Sequence, residues 1–189
     1  YPNFNALQKN IQAFRDNKAI GVMEQGSYQS PGGEAAELRA YLLSRLLWNP
    51  DCNVDEVVND FITGCYGAAA PCVREYYDLV QSLAKDDVHM DIYPRINNEM
   101  WSPEFIASSD DIFRRALNAV ADDPETTERV EMAAFPAAFT KCLKDSETAR
   151  NDGTYDLLRR VIEREGITRM SEGTRYSCPE KVYDLIEKP

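Results

Sequence analysis

The chain has 189 residues, 43% hydrophobic and 28% charged, with a formal net charge of −11. That length supports one domain with its own core, or a core with a small appendage. The acidity excludes the basic stripe that a nucleic-acid partner needs, the longest basic cluster being Arg159-Arg160, and no apolar run approaches the ~20 residues that span a bilayer.

Phe4, Leu7, Ile11 and Phe14 recur at helical spacing, so residues 4–17 read as an amphipathic helix that Asn17 and Lys18 end. Ile20-Gly21-Val22-Met23 is an apolar run that stops at Glu24 and Gln25, and it predicts a buried β-strand over 20–24. A loop rich in Gly, Ser and Pro follows, and a strong helix then runs from Glu34 to Trp48. Two adjacent apolar faces on that helix imply burial on more than one side, with Trp48 in the core. Asn49-Pro50 stops it. Strand, polar mouth, loop and helix make one βα unit, and in barrel enzymes such a unit places strand-end residues at the active face.

Asn53 with Glu56 is a capping-box-like start for the next helix, which Gly67 ends. Pro71 fits the first turn of a helix running to about Ala84. Val88, Met90 and Ile92 alternate with His89 and Asp91 in a short strand-like period, and a turn-rich loop leads to Trp101. Ser102-Pro103-Glu104 and Asp123-Pro124-Glu125 each order cap, proline and acid as a helix start requires. Ser108-Ser109-Asp110-Asp111 is a break point in the first of these helices, and Pro136 predicts a kink in the second. Residues 145–153 read as a polar loop, 154–165 as an amphipathic helix closed by Gly166, and Ser177-Cys178-Pro179-Glu180 as the start of a last short helix.

The expected class is mainly α, a helical bundle with one or two short β-strands. A lone buried strand leaves its backbone donors and acceptors unpaired. Residues 20–24 therefore call for neighbours: residues 88–92, a second chain, or strands of a larger scaffold of which this chain is the tail.

Cys52, Cys65, Cys72, Cys142 and Cys178 form no CxxC pair, and His89 is the single histidine. Small core residues are the favoured reading of the thiols, and neither a metal nor another cofactor is expected. Glu24 is the candidate acid/base carboxylate. Glycosidases flank the scissile bond with two carboxyl groups roughly 5–10 Å apart, so a partner would come from elsewhere. Gln25, Tyr28 and Gln29 suit hydrogen bonding and ring stacking at a sugar, and Trp101, in a loop, is a further stacking candidate. Gly26, Gly32 and Gly33 serve backbone geometry, and the loop lacks the ending of a phosphate loop. His89 with Asp86, Asp87 and Asp91 reads as solvated charge in preference to a metal site.

Gly21-Val22-Met23-Glu24-Gln25-Gly26-Ser27-Tyr28, the helix Glu37–Leu42, Leu46-Leu47-Trp48-Asn49-Pro50, Phe61–Gly67 and His89-Met90 belong together in a further respect. They resemble the C-terminal part of a bacterial family of glycoside-hydrolase-like proteins that carry a large domain of unknown function and are common in polysaccharide-degrading bacteria. The resemblance covers roughly residues 1–145 and is clearest between 20 and 90. It implies the last βα unit of a (β/α)₈ barrel, with residues 1–50 as terminal helix–strand–helix and 51–189 as a C-terminal helical region. It further implies extracytoplasmic (periplasmic or secreted) carbohydrate chemistry and a place for His89 beside the barrel mouth. On this reading Glu24 and Gln25 form one strand end of a carbohydrate-active enzyme, whose N-terminal barrel lies outside the chain, and the isolated chain is catalytically silent. The alternative is a non-enzymatic helical module that binds a glycan or a protein through an apolar face.

Overall fold

The computed structural model describes residues 3–26, 32–84, 99–170 and 176–188, and the fold within them is mainly helical. The helices are α1 (Phe4–Asp16), α2 (Ala36–Trp48), α3 (Val54–Tyr66), α4 (Ala70–Ser82) and α5 (Pro103–Ala119), then α6 (Pro124–Lys144), α7 (Ser146–Asn151), α8 (Thr154–Glu165) and α9 (Pro179–Glu187). A 3₁₀ turn, Gly67–Ala69, separates α3 from α4.

Helix starts follow local chemistry. Asn53 accepts from the Asp55 and Glu56 amides, and its own side-chain amide donates to the Glu56 carboxylate. Ser102 accepts from the Phe105 amide and Asp123 from the Thr126 amide, each satisfying a donor that the first helical turn leaves without a partner. Gly166, at φ 61°, closes α8 in the left-handed conformation that costs glycine little.

Three cores lie in series along the chain. Leu7, Leu42, Val58 and Val73 belong to the first, which α1 to α4 enclose. Tyr76, Ile112, Phe113 and Val130 belong to the second, between α4, α5 and α6. Phe135, Leu158, Val161 and Val182 belong to the third, which α6, α8 and α9 enclose. α4 and α6 are shared walls: α4 turns Val73 to one core and Tyr76 to the next, and α6 does the same with Val130 and Phe135.

The first core has an unusual direction. Arg39, in the first turn of α2, lies over the Phe4 ring at the start of α1, 4.5 Å from its centroid. At the other end, Gln12 donates to the Pro50 carbonyl and Arg15 pairs with Asp51, just past the end of α2. Starts meet starts and ends meet ends, so α1 and α2 are parallel. Short helix connections make antiparallel neighbours. Here residues 17–35 must travel back along the full length of the pair. That return turns at two non-glycine residues with positive φ, Lys18 (59°) and Ala35 (47°).

Several expectations are corrected. Residues 20–24 form no strand, and none occurs among the described residues. A strand exists only through pairing, and no described segment pairs with this one, so Ile20 is fully exposed and Met23 nearly so. The second candidate strand, 88–92, lies outside the described residues. α2 starts at Ala36 instead of Glu34, because Ala35 is left-handed. Its last residue, Trp48, is 92% exposed instead of core, while Leu38, Leu42, Leu43 and Leu46 are buried. α5 runs unbroken through Ser108–Asp111, where the buried Ser109 hydroxyl donates to the Phe105 carbonyl. Residues 146–151 are helical, capped by Asp145 and anchored by the buried Ala149.

Candidate functional site

Glu24 and Gln25 lie exposed on the return segment. Gly26, the next residue, is left-handed at φ 67°. Tyr28, Gln29 and His89 fall outside the described residues. Trp101 lies in a turn before α5, half-buried: its ring packs at 5.5 Å from Phe105, against the second core, and its carbonyl accepts from Lys144. Among the described contacts, none joins Glu24 or Gln25 to Trp101.

The structure does build a site just after the return segment, around Glu34. The Tyr76 hydroxyl, on α4, donates to Glu34 Oε2 at 2.9 Å across 42 residues of sequence. Burial pushes the Glu34 carboxyl above its ordinary range, and the charge of the chain's N-terminus, then the Tyr76 hydrogen bond and the Arg39 charge, draw it only partly back. Burial, then the neighbouring Glu34 charge, raise the Tyr76 hydroxyl as well. These groups line a cavity of about 40 Å³ together with Phe4, Tyr66, Tyr77 and Gln81. The Gln81 Oε1 atom is buried and has no hydrogen-bond partner among the described residues. Burial also raises the Tyr66 hydroxyl, and it pushes that of Tyr77 up to about 12.

Backbone geometry holds Glu34 there. Ala35 is left-handed, and Gly32 packs so closely under Phe135 that an added Cβ would lie 2.3 Å from the ring. Gly33 and Glu34 also border an outer groove of about 310 Å³, which Asn3, Gly26 and Arg39 complete. Arg39 donates to Asn3 across the groove floor. The groove thus sits at the start of α2, and Gly26, which follows Gln25 in sequence, borders it.

The remaining charged clusters hold helices together. Glu131 accepts from Arg160 and Arg164, which ties α6 to α8. Burial alone would raise the Glu131 carboxyl, but the two guanidinium groups hold it below its ordinary range. Lys141, buried, reaches Asp110 and Asp152 and ties α6 to α5 and to the start of α8. All five cysteines are free thiols, and burial pushes Cys142 up to about 12, which leaves it protonated and unreactive. Among the described residues, no three or more His, Cys, Asp or Glu side chains gather as a metal site would need, and no helix is long and apolar enough to cross a membrane.

Sequence reasoning missed the Glu34–Tyr76–Gln81 constellation. Glu34 reads as the start of a strong helix, Tyr76 as one apolar position among several, and Gln81 carries no signal. Only tertiary packing, which seats the turn ahead of α2 against α4, brings them together. The one local signal is Gly32-Gly33 ahead of an acid, a pattern that allows backbone to approach another element closely.

Residues 1–78 match the family described as a domain of unknown function (DUF4838), a match that covers less than half of the chain. It takes in α1, α2, α3 and most of α4, and so nearly the whole of the first core with Glu34 and Tyr76. No curated protein and no solved structure is similar enough to match.

Proposed function

We propose that the chain is the C-terminal part of a carbohydrate-active protein of glycoside-hydrolase type. Residues 17–35 are then the strand and loop of its last βα unit, and α3 to α9 are a helical buttress. The observation that carries this is the parallel pairing of α1 and α2 around an exposed apolar return. Parallel neighbouring helices joined by a returning segment are what a βα repeat produces, because each strand runs back between two helices. Ile20 and Met23 project from that return with no described partner. In a barrel such side chains are covered, and the backbone beside them is paired by adjacent strands.

Glu24 and Gln25 then end the returning strand, and Gly26, the next residue, borders the groove with Glu34 and Arg39. Glu24 serves as acid/base or as a sugar-hydroxyl acceptor. Tyr28, Gln29, His89 and Trp101 remain candidates for the sugar-facing surface. The second carboxylate of a glycosidase pair comes from strands outside the chain. Taken alone, the chain is catalytically silent.

The test is a glycosidase panel run on the full encoded gene product, on its Glu24→Gln form and on this chain by itself. The expected result is turnover by the full product, a loss of roughly 10²-fold or more in the variant, and none from the chain alone. Turnover that survives Glu24→Gln overturns the role of Glu24. Robust turnover by the chain alone overturns the buttress reading.

A further inference from the structure

We propose that Tyr76 and Phe135 are positioning residues for the groove at the start of α2, holding its Gly33–Glu34 wall from α4 and α6. This rests on the carbohydrate reading and adds which residues shape the surface that the sugar would meet. Gly33 and Glu34 border the groove, whereas Tyr76 and Phe135 are not among the residues that line it. Each instead grips the segment ahead of α2. The Phe135 ring lies against Gly32, too close for any side chain there. The Tyr76 hydroxyl donates to Glu34 Oε2 at 2.9 Å. The two grips fall one residue to either side of Gly33, so release of either lets Gly33 move. The Gly33 carbonyl in turn accepts from the Ala36 amide at 3.2 Å, which ties the wall to the first turn of α2.

Both grips are fixed by cores of their own. Tyr76 packs in the second core, 4.6 Å from the Phe113 ring and 6.5 Å from that of Phe105. Phe135 packs in the third, with Leu158, Val161 and Val182. Side chains locked by packing make rigid supports, and a binding surface needs such supports to keep its geometry. The Tyr76 ring alone would serve the second core, but its hydroxyl reaches out of that core to Glu34. A carboxyl drawn out of water needs such a donor. Without it, the cheapest relief for Glu34 is rotation into the groove that it borders. Phe135 lies beyond the residues 1–78 that match the family, so α6 shapes a surface that the family match itself contains.

The test measures kcat and KM of the full encoded gene product on the glycoside it turns over best, and backbone ¹⁵N order parameters at Gly33 in this chain alone. Tyr76→Phe removes the hydroxyl and keeps the ring. Phe135→Leu weakens the hold on Gly32. Val161→Ala, in the third core and not in the groove lining, is the stability control. Loss of folded molecules lowers apparent kcat and leaves KM alone, whereas a displaced wall raises KM. The expected result is a KM raised roughly tenfold in each grip variant, the size of one lost hydrogen bond. Gly33 order should fall from about 0.85 toward about 0.6 in the same variants. Val161→Ala should leave KM and Gly33 order unchanged. Unchanged KM in both grip variants overturns the proposal. So does a raised KM with Gly33 order unchanged, and so does an equal rise in Val161→Ala. Should Phe135→Leu fail to fold, Tyr76→Phe decides, with Glu34→Met expected to match it and to add nothing in the double variant. A wild-type full product without turnover overturns the carbohydrate reading, and the role of the two grips in binding falls with it.

Discussion

Gly32 is the residue whose neighbours leave it least choice. An added methyl would lie 2.3 Å from the Phe135 ring, and Phe135 is itself buried in the third core, so neither partner can yield cheaply. Gly32→Ala should lower stability by roughly 1–3 kcal/mol in denaturant melts, the ordinary cost of overpacking. Two carboxyl groups should give the molecule opposite responses to pH. The folded Glu34 carboxyl is raised above its ordinary 4.5, so above that pH the folded state holds a proton that the unfolded state has released. Stability therefore falls as pH rises from 4.5 through the raised value. Glu131 is depressed below 4.5, so its contribution is complete above 4.5 and is lost as pH falls below it. Thermal melts across this range should show Glu34→Gln flattening the decline on the alkaline side and Glu131→Gln flattening the loss on the acid side. Exchange of the two outcomes would contradict the assigned environments.

At the scale of elements, what the sequence made legible was whatever is decided locally. The starts at Asn53, Ser102 and Asp123 and the stop at Gly166 lay where their side chains put them, because a cap needs only its own first or last turn. The failures have a common cause in partners that the local pattern does not contain. The apolar run at 20–24 reads as a strand from composition, but pairing decides, and the described chain offers none. Trp48 reads as core from the apolar face of α2, yet that face is used up by Leu42 and Leu46 and leaves Trp48 in solvent. This gives a paired prediction. Leu46→Ala should cost about 2–5 kcal/mol in the isolated chain, whereas Trp48→Ala should stay within about 0.5 kcal/mol. Equal losses would mean that Trp48 is covered in solution by something in the chain itself.

For the whole molecule, three cores in series joined through α4 and α6 make most contacts local, an arrangement that favours fast folding. The candidate site was barely legible. Glu24 and Gln25 stand out as a polar stop to an apolar run, whereas Glu34, Tyr76 and Gln81 acquire meaning only when the turn ahead of α2 meets α4. On the proposed reading, the return between α1 and α2 is a strand in waiting, apolar because neighbouring strands cover it in the full protein. Amide hydrogen exchange at Ile20–Glu24, measured in this chain and in the full encoded gene product, tests that most directly. Near-intrinsic exchange is expected in the chain alone, with strong protection of the same amides in the full product. Unprotected amides in both, or amides already protected in the isolated chain, would contradict it.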